Sequence, residues 1–449
     1  MKKLLIANRG EIAVRIIRTA KKMGITTVLT ASEADKESLA AREADEVEVV
    51  GPAPAGASYL NIEAVIAALK QSGADAVHPG FGFLAENTDF AQAVMDAGAI
   101  WVGPRPETIS LMGNKSAARE VAKNAGVPTL PGTDGPLADD ADLNSIAEEV
   151  GFPLVVKASA GGGGKGIRRV NRIEDLESTI EVAQAEARAA FGDDKVYLER
   201  FIENARHVEV QVLADGKTAV HLGDRDCSMQ RRHQKVLEEA PAPSLPQDVR
   251  NVIRESSVSL AEECGYEGAG TVEFLYDPIR EEASFIEMNT RLQVEHPVTE
   301  MVTGRDIVED QIRIAQGEAL SIEQSEVTLQ GHAIEARINA EDPHNNFFPS
   351  PGQLETLAWP EGEGIRVDSG FEQGGEVTPY YDSMIAKLIV FAPTRDEAIE
   401  KMKEALRNTE VSGVATTIPM LSALVESEEF STVRHDTAFI ENSALLQKG

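Results

Sequence analysis

Residues 3–24 read KLLIANRGEIAVRIIRTAKKMG, and they decide the fold class at the start of the chain. Leu4 to Ala7 is a short apolar run of strand character. From Glu11 to Met23 the residues Ile12, Ala13, Ile16, Ile17, Ala20 and Met23 recur at helical spacing, and Gly24 ends the run. A strand feeding a helix through a tight turn is the unit of a doubly wound α/β lobe. The alternation continues with a β-branched strand over Ile25 to Thr30, a helix over Tyr59 to Lys70 and a strand over Asp75 to His78. A helix over Asp89 to Ala97 and a strand over Ile100 to Val102 complete the lobe. The first turn, Asn8-Arg9-Gly10-Glu11, lacks G-x-G-x-x-G, which argues against a nicotinamide cofactor.

Working outward, the character changes near residue 113. Gly113-Asn114-Lys115-Ser116 opens a helix, and Pro128 to Pro136 forms a Pro/Gly-rich hinge. Residues 137 to 203 have their own small β-α pattern, with a strand over Pro153 to Lys157 and a helix over Asp175 to Ala190. Residues 204 to 300 are strand-rich. Beyond about 340 the sequence becomes a Pro- and Gly-rich meander, followed by a terminal helix over Arg395 to Arg407. No internal repeat is present. The fold class expected is α/β and α+β multidomain.

A chain of 449 residues, 42% hydrophobic and 26% charged, has the composition of a globular protein with a large core. Disordered, collagen-like and disulfide-scaffold classes are excluded. The two cysteines, Cys227 and Cys264, lack C-x-x-C spacing and suggest a reducing compartment. No apolar run approaches the roughly 18 residues of a membrane span, and Leu4 to Ala7 is too short for a signal-peptide core. A cytoplasmic protein is expected, with no membrane partner. The 43 basic against 74 acidic residues, net −31, also argue against nucleic acid as a partner. Because screening confines charge effects to about 8 Å, clustered lysines and arginines should mark any anion site.

Three segments carry chemistry. The first, Val155 to Gly166, sets Gly161 to Gly164 between Lys157 and Lys165. Such glycines let backbone N–H groups turn toward an anion, and phosphate binding outside the P-loop class is the reading preferred to a flexible linker. The second, Glu287 to Glu295, alternates Glu287, Asn289, Arg291, Gln293 and Glu295 with mainly apolar residues. In extended chain those five would share one face. A hairpin turn centred on residue 280 pairs Glu273 with Glu287, and two adjacent carboxylates are tolerated best around a divalent cation. Glu273, Glu287 and Asn289 are therefore the expected oxygen ligands; pairing of each carboxylate with an arginine is the structural alternative. The third, Gly223 to Lys235, holds Arg225, Arg231, Arg232, His233 and Lys235 in an acidic chain. It is either an anion-handling strand or a solvated surface run. Arg337 stands alone on a strand-like segment.

These residues carry a family likeness. NRGEIAVRIIR (8–18), HPGFGFLAEN (78–87), GGGGKG (161–166), RDCSMQRRHQKVLEEAPAP (225–243), FIEMNTRLQVEHPVTEMVTG (285–304) and PYYDSMIAKLI (379–389) occur in the order typical of biotin carboxylase. The chain resembles the free-standing biotin carboxylase subunit of bacterial acetyl-CoA carboxylase. The resemblance implies an ATP-grasp fold: a Rossmann-like α/β domain over 1–112, an ATP-grasp domain over 113–335 with a mobile lid at about 131–203, and a β-rich C-terminal domain over 336–449.

It also implies roles. Lys115, Lys157, Gly163 and Gly164 match nucleotide phosphate contacts, while Glu199, Arg200, Phe201, Ile202, His207, Gln230, His233 and Leu275 match the adenosine pocket and its surroundings. Glu273, Glu287 and Asn289 match ligands for Mg²⁺ or Mn²⁺. Lys235, Arg291, Gln293, Val294 and Glu295 match the bicarbonate site, and Arg337 matches the arginine facing bicarbonate and biotin. Among these Arg291, Glu295, Lys235 and Arg337 are the expected catalytic residues. Ala160 and Phe81 depart from the family's usual Gly and Tyr.

The implied activity is ATP- and bicarbonate-dependent carboxylation of biotin. A Met-Lys-Met acceptor context is absent, so biotin is expected on a separate biotin carboxyl carrier protein, with carboxyltransferase subunits as further partners and a homodimer as the assembly. Acetyl-CoA carboxylase is the expected parent, with pyruvate or propionyl-CoA carboxylase as alternatives and another ATP-grasp ligase as a more distant one.

Overall fold

The computed structural model describes residues 1–133, 135–138, 141–158, 167–191 and 194–443. Its first lobe is built on a five-stranded sheet of β1 (Lys3–Ile6), β2 (Thr26–Ser32), β3 (Glu46–Gly51), β4 (Ala76–His78) and β5 (Ile100–Trp101). The spatial order is β3-β2-β1-β4-β5 and every pairing is parallel, as the alternating pattern requires. The helix Gly10–Lys22 buries Ile12, Ala13, Ile16, Ile17 and Ala20 against it. Full burial of each isoleucine contributes about 1.5–3 kcal/mol before entropy is counted.

Two sequence expectations differ here. The helix expected from Tyr59 begins at Ile62, because the Asn61 side chain accepts from the Ala64 N–H and caps it there. Tyr59 is instead a buried anchor whose hydroxyl donates to Asp35 at 2.6 Å. Strand β3 was not foreseen; as a sheet edge it carries Glu46 and Glu48 and buries only Val50.

Next, Asn114 caps the helix Lys115–Asn124. A three-stranded antiparallel sheet of order β7-β6-β8 follows, made of β6 (Leu154–Ala158), β7 (Ile167–Val170) and β8 (Val196–Arg200). The helices Leu143–Val150 and Leu176–Phe191 pack on it. The main body is an eight-stranded antiparallel sheet. Its order runs β13 (Glu282–Asn289), β12 (Glu267–Asp277), β9 (Arg206–Asp215), β10 (Ala219–Arg231), β11 (Gln234–Ala240) and β14 (His332–Asn339). The strands Met384–Ala392 and Ile365–Ser369 complete it. A boundary at 335/336 falls inside β14, so this sheet runs through it.

The strand-rich reading of 204–300 overlooked the helix Gln247–Glu263. Its buried face mixes Val249, Ile253 and Leu260 with Ser256 and Ser257, which weakens the apolar period; the Ser257 hydroxyl bonds back to the Ile253 carbonyl at 2.6 Å. The helix Arg395–Arg407 stands where expected, opened by a capping box of Thr394 and Glu397, but it is not terminal: the helix Ile418–Glu426 follows it. One apolar cluster contains both Leu4, Ile12 and Ile16 of the first lobe and Leu213, Leu222 and Ala269 of the large sheet, so it fixes the lobe against the sheet. Among the described residues no helix is long and apolar enough to cross a membrane.

Candidate active site

A cleft of about 1660 Å³ opens along the large sheet, lined from β9 to β14, the segment after β13 and the loop around Phe81. Strands β12 and β13 place Glu273 directly opposite Glu287, the pairing expected from the sequence. Near the turn the register follows Asp277 opposite Glu282, and a bulge between Glu273 and Phe274 leaves Ile286 unpaired and shifts the ladder by one residue.

The single extended face expected over Glu287 to Glu295 is not formed. Strand β13 ends at Asn289, and Pro297 fixes the start of the helix His296–Thr303, making Glu295 its N-cap residue. Glu295 makes no capping bond and turns its carboxylate into the sheet instead. Glu287, Asn289, Arg291, Gln293, Val294 and Glu295 nevertheless all line the cleft, brought there by a turn rather than by strand alternation.

At the centre lies Lys235. Its Nζ donates to Glu295 at 2.6 Å, Glu209 at 2.7 Å and Glu273 at 2.9 Å. Arg337 extends the chain of charges, donating to Glu238 at 2.5 Å and to the other oxygen of Glu295 at 2.9 Å. Burial alone would push the Glu295 carboxyl up, but Lys235, Arg337 and Arg225 hold it well below the usual carboxylate range. Glu295 is thus in the deprotonated state a general base needs, and its basicity rises if a substrate oxygen draws Lys235 or Arg337 away. Burial opposes the Lys235 charge, yet Glu209 and Glu295 outweigh it and raise its pKa well above the ordinary lysine value.

Two groups of side chains have metal-ligand geometry: His207 with Glu209 and Glu273, and Glu209 with Cys227 and Glu295. The Lys235 ammonium already bonds the carboxylates of both, so neither needs a metal. Glu287 is different. Among the described residues it has no hydrogen bond or ion pair, and burial together with the neighbouring Glu273 pushes its carboxyl upward. A divalent cation between Glu273 and Glu287 would relieve that repulsion, so these two residues fit the expected metal. Asn289 fits less directly. Its amide nitrogen donates to Glu273 at 2.8 Å and its oxygen accepts from Arg291 at 3.1 Å, a bond that would have to open for it to become a ligand.

On the nucleotide side Lys115, Lys157, Arg200, Phe201, Ile202, His207, Gln230, His233 and Leu275 line the same cleft. Lys115 is the first residue of a helix capped by Asn114, where the helix dipole also favours an anion. Glu199 does not line the cleft; its carboxylate pairs with Lys157 and, at 3.5 Å, with Arg119. Gly163, Gly164 and Ala160 lie outside the described residues. Phe81 lines the cleft, as its resemblance to the tyrosine position implied.

The basic segment 223–235 is no solvated surface run. Asp224, Arg225 and Asp226 are buried, with Arg225 held by Glu209 at 2.5 Å and Gln211 at 2.8 Å. Arg231 pairs with Glu341 at 3.1 Å and stacks over Phe347, while Gln230, His233 and Lys235 reach the cleft. Sequence reading missed the counter-charges. Glu209 is a charged residue inside the apolar run Val208-Glu209-Val210, and Glu238 sits in KVLEEA, so each was visible as an acid in a strand. Glu86, within HPGFGFLAEN, accepts from Arg291 Nε at 2.8 Å and from the Thr290 N–H at 3.1 Å.

Comparison with known proteins bears on this geometry. The biotin carboxylase N-terminal domain matches residues 1–109, the ATP binding domain of carbamoyl-phosphate synthase L chain matches 114–323, and the biotin carboxylase C-terminal domain matches 335–442. Biotin carboxylase of Pseudomonas aeruginosa is 52% identical over 450 residues, covering 100% of both chains. The biotin carboxylase subunit of pyruvate carboxylase superposes with a TM-score of 0.92 at 48% identity, over 100% of this chain and 99% of that one. The biotin carboxylase domain dimer of Hydrogenobacter thermophilus 2-oxoglutarate carboxylase, solved with MgADP, ADP and bicarbonate, gives 0.86 at 47% identity over 100% and 99%.

Proposed function

The chain belongs to the biotin carboxylase family, and on that premise we propose that it activates bicarbonate with ATP and carboxylates biotin held on a carrier protein. It is an ATP-dependent ligase of ATP-grasp fold. One observation carries the assignment of roles: Lys235, Glu295 and Arg337 form a continuous hydrogen-bonded array that reaches Glu273 in the same cleft.

Lys115 and Lys157 would bind the nucleotide phosphates, and Glu273 and Glu287, with Asn289, would hold Mg²⁺. The metal supplies charge neutralisation for phosphoryl transfer. Arg291, steadied by Gln293 at 2.9 Å and Glu86, presents its planar fork to the bicarbonate oxygens. Glu295 takes the bicarbonate proton, so that a bicarbonate oxygen attacks the γ-phosphorus and ADP leaves. The product, carboxyphosphate, breaks into CO₂ and phosphate. Phosphate removes the proton from biotin N1, and Arg337 stabilises the negative charge that develops on the ureido oxygen before N1 attacks CO₂.

Cytoplasmic acetyl-CoA carboxylase, with a biotin carboxyl carrier protein and carboxyltransferase subunits, is the proposed setting, and a homodimer the proposed assembly; a dimer of the Hydrogenobacter domain supports the latter. The likeness to a pyruvate carboxylase subunit favours that complex as the second reading. ADP release by the purified chain, with MgATP and with bicarbonate and free biotin each added or omitted, tests the activity. Release that rises only with both supports it. Turnover driven by another carboxylate, with no response to biotin, would overturn it.

A further inference from the structure

On the face of the sheet that carries Arg337, two glutamates lie opposite one another. Glu238 on β11 and Glu335 on β14 are register partners, and both are fully buried. Glu238 Oε1 accepts from Arg337, but its Oε2 and both oxygens of Glu335 have no hydrogen-bond partner. Strand alternation sets Ala240, Ala333 and Ile389 on one side of the pair, within an apolar cluster that also holds Val298 and Val302. On the other side are Arg337 and Lys387, which are themselves register partners. Lys387 Nζ is directed elsewhere, to the Val294 carbonyl at 2.8 Å and Glu11 at 3.2 Å.

Two adjacent buried carboxylates, with three of four oxygens unpartnered, are costly to ionise together. One shared proton removes the repulsion and supplies a hydrogen bond between them, as in other carboxylate dyads. The remaining charges around the pair do not replace it. Glu295 opposes ionisation, and Lys235 is committed to three other carboxylates. The helix packed over this face contributes His296, whose pKa burial holds well below the ordinary histidine value, and Glu300, which pairs with Arg15 and Arg366.

We propose that Glu238 and Glu335 form a proton-sharing pair that positions Arg337 and, by holding one proton, leaves the Arg337 charge available to biotin. The role of Arg337 rests on the function proposed above. With the proton in place Arg337 faces Glu295 and a dyad that carries a single negative charge. Without it, a further carboxylate offsets the guanidinium where negative charge must develop on the substrate. The electrostatics agree in direction: burial pushes the Glu238 carboxyl up to about 7 against the pull of Arg337, and burial, with Glu238 as neighbour and against the pull of Lys387, pushes Glu335 well above the usual carboxylate range.

The test is Glu335→Gln, which keeps the shape and offers an N–H to Glu238 in place of the shared proton. The infrared band of protonated carboxyl groups in D₂O at pH 7 should weaken in the variant. In kcat/KM for free biotin the wild type should fall on the alkaline side as the proton leaves, and the variant's fall should move up by about one pH unit or more. A merely structural role would lower activity at every pH alike. An unchanged carboxyl band, or a pH profile that superimposes on the wild type, overturns the pair. Should Glu335→Gln fail to fold, Glu238→Gln must weaken or shift the same band, and a band unchanged in position and strength there refutes the proposal. A wild type that does not respond to biotin refutes the functional reading, while the infrared band still decides the dyad.

Discussion

Arg337→Ala separates two demands that the structure makes of one side chain. The guanidinium bonds Glu238 at 2.5 Å and Glu295 at 2.9 Å, so its removal leaves two buried carboxylates each short of a partner. Stripping a buried ion of its only counter-charge costs about 3–5 kcal/mol. Neither carboxylate is left that exposed. Glu295 keeps Lys235 at 2.6 Å, and Glu238, whose carboxyl burial already pushes up to about 7, takes up a proton. The expected destabilisation is therefore smaller, about 2 kcal/mol. Catalysis should suffer more. A fixed charge aimed at a developing oxyanion is worth about 3 kcal/mol, or a hundredfold in rate. Lys115 and Lys157 make no bond to Arg337, so KM for ATP should stay close to wild type. The assay is ADP release at saturating MgATP and bicarbonate, measured against biotin concentration and again without biotin. Biotin-dependent turnover should collapse, while any background ADP release without biotin should fall much less. A wild-type biotin-dependent rate, or an equal loss in both reactions, would refute the placement of Arg337 against biotin.

Other perturbations address separate parts of the molecule. Glu287→Gln keeps the shape of the side chain and removes the anion, so the Mg²⁺ concentration for half-maximal ADP release should rise on the order of tenfold or more; an unchanged titration would return Glu287 to a structural role. Burial depresses the pKa of His78 to about 3, so it is neutral in the folded chain and protonated below about 6.5 in the unfolded one. Stability from this group is therefore full above pH 6.5 and lost as pH falls, about 2 kcal/mol by pH 5. His78→Asn, which preserves an acceptor for the Gly80 N–H, should narrow the gap in Tm between pH 7 and pH 5; equal gaps would sink the point. Burial raises both thiols, Cys264 to about 11 and Cys227 well above its ordinary value. A thiol reagent at pH 8 should react slowly with the native protein and promptly with two equivalents once it is unfolded, and fast native labelling mapped to Cys227 would contradict its burial.

How much of this was legible in the sequence depends on the range of the interaction. Helix and strand periods are local, so the first lobe and the helix Arg395–Arg407 could be read directly. The Glu273–Glu287 pairing was also legible, because a hairpin couples a turn to an alternation. Even there the turn is centred half a residue earlier than expected, and the bulge at Ile286 restores the pairing. The helix Gln247–Glu263 escaped notice because serines occupy part of its buried face. The counter-charges escaped for a different reason. Lys235 meets Glu295 across 60 residues and Arg337 meets Glu238 across 99, and no period in a single sequence encodes which carboxylate a lysine will find. The family motifs supplied the cations of the site together with Glu273, Glu287 and Glu295; which carboxylate each cation meets came only with the folded chain.

Those partners alter how the cleft must work. The chain has 43 basic and 74 acidic residues, yet seven of each line the cleft, so basic side chains are enriched there without making it positive. Four of the site's principal cations are already engaged: Lys157 by Glu199, Arg291 by Glu86, Lys235 by three carboxylates and Arg337 by two. An incoming bicarbonate or nucleotide phosphate therefore does not fill an empty positive hole. It competes with a carboxylate for a pre-aimed donor, and the displaced carboxylate then needs a proton or a metal ion. Near Glu273 and Glu287 a divalent cation arriving with the nucleotide meets that need, and near Arg337 a shared proton does. Pre-pairing also explains how so acidic a protein can keep its lysines and arginines in fixed geometry: the bonds that hold them straight are the ones the substrate replaces.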